Sequence, residues 1–182
     1  MNISQIEAAL LAAALTATVT LLAVHLANRG NLSRLTLQLQ HEVESRRKEL
    51  YQKKLEELYV LASVYGKSLA SHYFPYLTAM EGRISYNEAL DMTVDKLADL
   101  GHDFDRLEML VNVYFPSIEE VFVRLLECRS RANEIVGAFK SEYQRGRIQD
   151  AKAANRLLRA MTDIETQSRE LKAAISSMSK EI

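Results

Sequence analysis

Few residues in this sequence are of types that carry out chemistry, and their spacing matches few known sites. The single cysteine, Cys128, is a possible nucleophile, but it lies in an apolar helical pattern with Leu125 and Leu126, and no histidine is expected near it. A cysteine in that setting is typical of a small buried side chain. One cysteine also cannot form an internal disulfide, so the sequence does not indicate a disulfide-stabilised extracellular fold.

Metal-ligating residues are equally sparse. The sequence holds four scattered histidines, none of which forms the Glu-x-x-His pair of helical di-metal sites: His25, His41, His72 and His102. The nearest approach to a metal site is one short cluster: Asp99, His102, Asp103 and Asp105. It lacks the spacing of a calcium loop, and Asp103 is better explained as a helix cap. The sequence therefore predicts no metal site and no cofactor.

Motifs that mark the common enzyme classes are absent. The sequence contains no G-x-S-x-G, no glycine-rich phosphate loop, no C-x-x-C and no H-E-x-x-H. We therefore predict that the protein is not an enzyme, with a helical enzyme of unrecognised site as the alternative. Hydrophobic content of 48% and charged content of 26% suit a folded chain. Two prolines and six glycines in 182 residues favour a mostly helical one.

The segment with the clearest sequence signal is a charge-free run of twenty residues, 8–27. It contains six leucines and eight alanines. As a helix it would extend about 30 Å, the thickness of a bilayer's hydrocarbon core. A cleaved secretory signal would require a lysine or arginine before the run, and none is present there. Ser4 to Glu7 match a capping box, which would begin the helix before the run. A membrane anchor is the interpretation we adopt; a buried or oligomer-forming soluble helix and a cleaved signal are the alternatives.

The flanks of this run predict its orientation. Basic residues follow the run closely, beginning with Arg29 and Arg34, and none comes before it. Basic flanks stay on the cytoplasmic side of a membrane. The sequence therefore predicts a single-pass protein, in the inner membrane if the source is bacterial, with its N-terminus outside and its body in the cytoplasm.

Small residues form a stripe along the predicted anchor, at spacings of four and three: Ala9, Ala13, Thr16, Thr20, Ala23 and Ala27. Small side chains let two membrane helices approach closely, and threonine can hydrogen-bond between them. The pattern predicts self-association through this face. Alanine-rich helices also produce such stripes by chance, which is the alternative.

The remaining sequence predicts helices separated by clear boundaries. Residues 28–31 are expected to interrupt the chain, and a second helix is expected from about Leu32 to Tyr73, ended by Pro75. Its later part carries an apolar seam: Tyr51, Leu55, Leu58, Ala62, Tyr65, Leu69 and His72. Residues 41–57 hold five acidic and five basic side chains, typical of a solvated stalk.

Four further helices are expected after Pro75. A capping box at 85–88 begins one, which Gly101 ends and in which Leu90, Val94 and Leu97 face inward. A short helix covers about 105–114. A third capping box at 117–120 begins another, which runs to about Tyr143 and ends before Gly146. The last helix has the most regular seam: Ala154, Leu157, Met161, Ile164, Ser168, Leu171, Ile175 and Met178.

The tripeptide Tyr-Phe-Pro occurs twice, at 73–75 and at 114–116. We interpret both copies as helix corners at which aromatic side chains close the core and proline stops the helix. The alternative is an aromatic groove for a peptide or lipid, formed by Tyr73, Phe74, Tyr76 and Tyr86.

Charge is uneven along the second half of the chain. Residues 81–120 carry a net charge of −7, and residues 121–159 carry +5. Four acidic residues form one stripe, interpreted as a solvated face or as a docking surface for a protein partner: Glu88, Asp91, Asp95 and Asp99. The basic half is interspersed with acidic side chains, so no nucleic-acid binding is predicted.

Together these patterns predict an all-α protein with one transmembrane helix followed by an antiparallel helical bundle with coiled-coil-like seams. Its expected segments are an anchor at 1–29, a juxtamembrane helix at 30–73 and the rest of the bundle at 74–182. The predicted role is a self-associating, non-enzymatic interaction or effector module whose cytoplasmic body binds a protein. An envelope-spanning or lysis-type protein with its body outside the cytoplasm is the alternative.

Overall fold

The computed structural model describes the backbone of residues 3–180 and the side chains of residues 10–94 and 104–180. The protein is all-α, as predicted, and the described residues contain no strand. Four long helices account for most of the chain: α1 (Ile3–Met80), α2 (Tyr86–Met109), α3 (Glu119–Gln144) and α4 (Ala151–Met178). The chain divides into two compact units, residues 1–49 and 50–182. The first unit consists of α1 residues, and the second holds the hydrophobic core.

The predicted interruption at residues 28–31 is wrong, because α1 is helical from Ile3 to Met80. Gly30 adopts an ordinary helical conformation, and the Ser33 hydroxyl donates to the Arg29 carbonyl at 3.0 Å. One glycine costs a helix about 1 kcal/mol relative to alanine. Alanine- and leucine-rich sequence on both sides favours continued helix, and extending a helix costs far less than starting a new one.

Pro75 does not end α1, contrary to the sequence prediction. A proline inside a helix costs about 3 kcal/mol, because it removes one N–H donor and its ring clashes with the preceding turn. After Pro75, the helix residues Tyr76, Ala79 and Met80 are buried in the core. Full burial of one large apolar side chain contributes about 1.5–3 kcal/mol, so continuing the helix outweighs the defect. The turn after α1 contains Gly82 at φ +76°.

The capping box at the start of α2 is confirmed. The Ser85 hydroxyl accepts from the Glu88 N–H at 3.1 Å, and the Glu88 carboxylate accepts from the Ser85 N–H at 2.7 Å. The predicted stop at Gly101 is wrong, because α2 continues to Met109. Asp103 therefore lies inside a helix and does not cap one. The box predicted at 4–7 falls on side chains outside the described ones.

The buried face of α2 also differs from the prediction. Leu90 is 38% exposed and Val94 is 52% exposed, whereas Ala89 and Thr93 are buried; the side chain of Leu97 lies outside the described residues. The Thr93 hydroxyl donates to the Leu90 carbonyl at 2.7 Å, so the 3.0 Å contact with Tyr76 has the tyrosine hydroxyl as donor. Hydrophobicity alone favours leucine over threonine, but small side chains allow the helices to approach and form this bond.

A π-helical segment at Leu110–Tyr114 continues directly from α2, so the predicted separate helix at 105–114 is wrong. The Phe115 N–H donates to both the Leu110 and the Val111 carbonyls, at 3.1 and 3.2 Å. A 3₁₀ turn at Pro116–Ile118 precedes α3. The capping box predicted at 117–120 is wrong, since the N-cap of α3 is Ile118 and makes no side-chain cap bond.

The last two helices follow the prediction more closely. α3 ends at Gln144, and the turn after it contains Gly146 at φ +92°. The Asp150 carboxylate caps α4 by accepting from the Ala153 N–H at 2.9 Å. All eight predicted inward-facing residues of α4 are buried or half-buried, which confirms that face: Ala154, Leu157, Met161, Ile164, Ser168, Leu171, Ile175 and Met178.

Contacts along α1 give the directions of its neighbours in the second unit. Tyr76 hydrogen-bonds Thr93, and Glu57 forms a 2.6 Å ion pair with Arg106. The pairing of an earlier α1 residue with a later α2 residue means that α2 runs back along α1. The guanidinium of Arg106 is the main cause of the lowered pKa of Glu57.

The helix α3 runs in the same direction as α1. Arg129 donates to the Tyr65 hydroxyl at 2.7 Å, and four residues later Asn133 accepts from the Tyr73 hydroxyl at 2.6 Å. In the second bond both the α1 residue and the α3 residue lie later in the chain than in the first, so the two helices are parallel. The guanidinium of Arg129 also lies over the Phe104 ring, 4.9 Å from its centroid.

The helix α4 returns in the opposite direction and approaches α1 very closely. Near its start, the Asp150 N–H donates to the Met80 carbonyl at 2.9 Å, which satisfies a carbonyl at the end of α1. Further along, a Cβ atom placed on Gly66 would lie 2.8 Å from the Ser168 Oγ. Only the absence of a side chain at position 66 permits this approach.

The first prediction concerns the core. Leu125 is fully buried on α3, so Leu125→Asp places an unpaired charge among apolar side chains. We expect this variant to lower the free energy of unfolding by about 3–5 kcal/mol. Val123→Asp, at an exposed site on the same helix, is the control and should cost less than about 1 kcal/mol. Equal melting of both variants, measured by circular dichroism, would contradict this core.

The second prediction concerns the α1–α4 contact. Gly66→Ala should lower the free energy of unfolding by about 1–3 kcal/mol, because the new methyl group overlaps Ser168. Gly137 on α3 has nothing within 4 Å of the same position. Gly137→Ala should therefore raise stability by about 0.5–1 kcal/mol through helix propensity alone. If thermal melts show both substitutions to be stabilising, the close approach of α1 and α4 is not as described.

Candidate functional site

Cys128 lies in the core, where sequence analysis placed it. Its side chain is buried, and its sulfur accepts a hydrogen bond from the Arg131 guanidinium at 2.9 Å. Burial raises the pKa of this thiol and outweighs the opposite effect of Arg131. Since the thiolate is the reactive form of cysteine, this environment disfavours nucleophilic chemistry at Cys128.

The histidines do not come together within the described residues. His25 and His41 are exposed on α1, and the side chain of His102 lies outside the described ones. His72 is half-buried, with its ring 5.1 Å from that of Tyr73 and 5.7 Å from that of Tyr76. Its Nδ1 is buried and has no hydrogen-bond partner among the residues described. Burial lowers the pKa of His72, which favours the neutral ring.

The acidic cluster considered as a metal site can be placed only in part. Asp105 is exposed, and the side chains of Asp99, His102 and Asp103 lie outside the described residues. Among the side chains that the structure does describe, no three histidine, cysteine or carboxylate groups are arranged to hold a metal ion.

The acidic stripe of α2 is exposed where it can be described. Glu88 and Asp91 face solvent, and the side chains of Asp95 and Asp99 lie outside the described ones. The backbone N–H of Ser85 is the main cause of a lowered pKa at Glu88, which keeps that carboxylate charged. Asp91 lies close to Val94, three residues later, and sequence analysis had assigned both Val94 and Leu90 to the core. The surface is therefore both acidic and apolar.

The small-residue stripe of α1 lies in the first unit. The side chain of Ala9 lies outside the described ones. The other members of the stripe are all exposed: Ala13, Thr16, Thr20, Ala23 and Ala27. The hydroxyls of Thr16 and Thr20 each donate to the carbonyl four residues earlier at 2.8 Å. A partner helix would therefore meet hydroxyl oxygens with a free acceptor site and no free proton.

The proposed aromatic groove does not form. Tyr73, Tyr76 and Tyr86 are buried in the core, and Phe74 is 61% exposed on a different face of α1. These aromatic residues pack against one another and against α3, with Tyr86 5.8 Å from Tyr143 between ring centroids. Core packing, the first interpretation of these residues, is correct for the three tyrosines and wrong for Phe74.

Sequence analysis missed a polar cluster between α1 and α3. It consists of Tyr65, Tyr73, Arg129 and Asn133, joined by the hydrogen bonds given above. Burial raises the pKa of both tyrosines, so their hydroxyls stay protonated at neutral pH. The cluster holds a guanidinium between neutral partners and an aromatic ring, an arrangement that fixes helix packing. No sequence motif would have identified it, because its members lie more than fifty residues apart.

A groove of about 430 Å³ lies between α1 and α4 in the second unit. On α1 its residues are mostly small: Ala62, Ser63, Gly66, Lys67 and Ala70. On α4 it is lined by Leu158, Met161, Thr162, Glu165, Ser168, Arg169 and Lys172. The small α1 side chains leave the space that makes the surface concave. The spacing of Ala62, Gly66 and Ala70, four residues apart, was the sequence signal that could have indicated it.

The α1–α4 groove combines an apolar wall with a basic rim. Lys67, Arg169 and Lys172 contribute three positive charges, and Glu165 contributes one negative charge. At its centre Ser168 is only 7% exposed, and its hydroxyl has no hydrogen-bond partner among the described residues. Such a surface suits an acidic, amphipathic helix better than a small polar metabolite.

The charge-free part of α1 is a further candidate functional segment among the described residues. α1 contains a stretch apolar and long enough to cross a membrane, with a mean hydropathy of 2.0 over 18 residues and none of that window buried. Its length and composition alone meet the requirements of a membrane span. Comparison with known proteins adds no relative to this picture: no family model, characterised protein or solved structure matches the chain.

Proposed function

We propose that this protein is a non-enzymatic interaction module, anchored in a membrane by residues 1–29. In this proposal the helices of the second unit form a cytoplasmic antiparallel bundle with coiled-coil-like seams. The bundle binds a protein partner, and the anchor brings copies of the chain together.

The exposed apolar side chains of the charge-free run carry this proposal. Eight large ones between residues 10 and 26 are 51–71% exposed: Leu10, Leu11, Leu15, Val19, Leu21, Leu22, Val24 and Leu26. Each would contribute about 1.5–3 kcal/mol if fully transferred from water to an apolar medium. They cover more than half of the helix circumference and leave free only the side that carries the small-residue stripe, so one partner helix could not cover them. A bilayer covers a helix from every direction and best explains this pattern.

The hydrogen bonding of the run supports the same environment. In a bilayer core each backbone polar group must find a partner within the protein, which a continuous helix provides. The hydroxyls of Thr16, Thr18 and Thr20 also donate within the helix, each at 2.8 Å. The threonines therefore bring no unsatisfied donor into the apolar phase, and the cost of inserting them is reduced.

The third prediction concerns location and orientation. A reporter fused after residue 182 should be active only in its cytoplasmic form when the chain is produced in a bacterium, because basic residues follow the run. The protein should also stay in the membrane fraction during alkaline carbonate washing. Leu15→Asp with Leu22→Asp is the matched variant; each aspartate opposes insertion by about 2.5–3.5 kcal/mol, and the protein should become extractable.

Two results would contradict the location. Extraction of the parent protein by carbonate would exclude an integral anchor. Activity of an externally active reporter at residue 182 would place the body outside the cytoplasm and favour an envelope-spanning or lysis-type protein.

Self-association through the small-residue stripe is the basis of the fourth prediction. Lipid tails are as apolar as leucine, so packing and hydrogen bonding must hold two membrane helices together. Ala13→Leu and Ala23→Leu keep the run apolar but separate two helices that meet at this face. Leu15→Ala alters a different face. In a membrane-helix dimerisation assay on residues 1–34, only the first two variants should lose association.

Insertion of all three variants is checked in parallel, since a helix that fails to insert also fails to dimerise. Equal association of the parent, Ala13→Leu and Leu15→Ala would mean that the stripe only reflects composition. Any oligomer would then arise from the second unit.

A further inference from the structure

The α1–α4 groove needs an occupant that is apolar at its centre and acidic at its edge. Its wall is formed by small and apolar side chains, and its rim carries the basic side chains Lys67, Arg169 and Lys172. Its α4 residues extend from Leu158 to Lys172, about 21 Å of helix at 1.5 Å per residue. Two to four turns of an amphipathic helix would fill such a groove.

The same chain exposes a helix surface of this chemistry. On α2, Leu90 and Val94 lie one turn apart on one face and are both partly exposed. Asp91, three residues before Val94, lies at the edge of this face and is exposed. Exposed apolar residues at i and i+4 beside an acid are the features that a basic, apolar groove recognises.

Both surfaces belong to the second unit, and each is exposed in the single chain. We propose that the α1–α4 groove of one copy binds the Leu90–Val94 face of α2 from a second copy. This inference rests on the proposed interaction role and deepens it by naming the partner as the chain itself. The apolar pair contacts the groove wall, and the Asp91 carboxylate lies against the basic rim.

The geometry of this contact differs from that of a symmetric dimer. The groove and the α2 face are different surfaces, so each copy can bind one neighbour through the groove and another through α2. A head-to-tail contact of this kind closes into a ring or continues as an open array. On one membrane face it would extend a pair formed by anchors into a larger assembly.

Site-specific crosslinking of the full chain in mild detergent tests the contact. One protein carries Ala70→Cys in the groove, and another carries Leu90→Cys on α2. After mixing and oxidation, a dimer linking the two variants should form at least about fivefold faster than with Val123→Cys, an exposed α3 position, in place of Leu90→Cys. The parent chain, whose Cys128 is buried, sets the background.

Charge reversal tests the basis of recognition. Lys67→Glu with Arg169→Glu in the groove protein should slow crosslinking about fivefold, the size expected when exposed ion pairs become like-charge contacts. Asp91→Lys in the α2 protein should restore much of the rate. Asp91 is chosen because Glu88 also holds the capping box. Circular dichroism melts of each variant separate a lost contact from a lost fold.

Three outcomes would overturn the inference. The first is a 70–90 crosslink that forms no faster than the 70–123 control. The second is a rate unaffected by charge reversal in folded variants. The third is crosslinking of the groove cysteine in native membranes to a different protein, without any 70–90 product. The crosslinking is done in detergent solution, so it does not depend on where the protein is located in the cell. A negative crosslinking result would overturn this contact but not the proposed membrane location. Negative carbonate or reporter results would overturn the location but not this contact.

Discussion

The helical continuity of α1 through Pro75 is the constraint on which the second unit depends. This helix supplies a partner to every other one: Tyr76 for α2, Tyr65 for α3 and Gly66 for α4. If the chain turned at Pro75, Tyr76, Ala79 and Met80 would leave the core, and the Met80 carbonyl would lose the Asp150 N–H. Several buried side chains together outweigh the cost of about 3 kcal/mol that one proline imposes.

Two kinds of contact join the other helices to α1, and they serve different purposes. Buried leucines and aromatic residues supply most of the stabilisation, but apolar contact is tolerant of sliding and rotation. The bonds Tyr76–Thr93 and Tyr73–Asn133 fix which residues lie opposite each other. The Gly66–Ser168 contact fixes how close α4 lies, because any side chain at position 66 would displace it.

Burial keeps the reactive side chains of the described core in their neutral forms. Cys128 is buried with a raised pKa, and the two tyrosines of the polar cluster are held protonated. By contrast, several large apolar side chains are exposed on the charge-free run of α1 and on α2, in addition to other exposed ones along the described residues. Water is a poor solvent for both, and each is better matched by a partner phase or a partner protein than by solvent.

The sequence by itself determined the all-α class, the charge-free run, the Ser85–Glu88 capping box and the inward face of α4. These features depend on interactions among residues near one another in the chain, or on a periodicity that one helix displays in full. It also indicated that Cys128 and three tyrosines pack in the core.

Tertiary structure decided the features in which a local preference competes with distant packing. Gly101 and Pro75 are local stop signals, yet both helices continue, because burial beyond them is worth more than the local cost. The inward face of α2 contains Ala89 and Thr93 in place of the predicted Leu90 and Val94, because only small side chains allow Tyr76 to approach. The α1–α4 groove exists only when Gly66 meets Ser168, residues about a hundred positions apart. Sequence periodicity describes one helix at a time and carries no information on which neighbour that helix will meet.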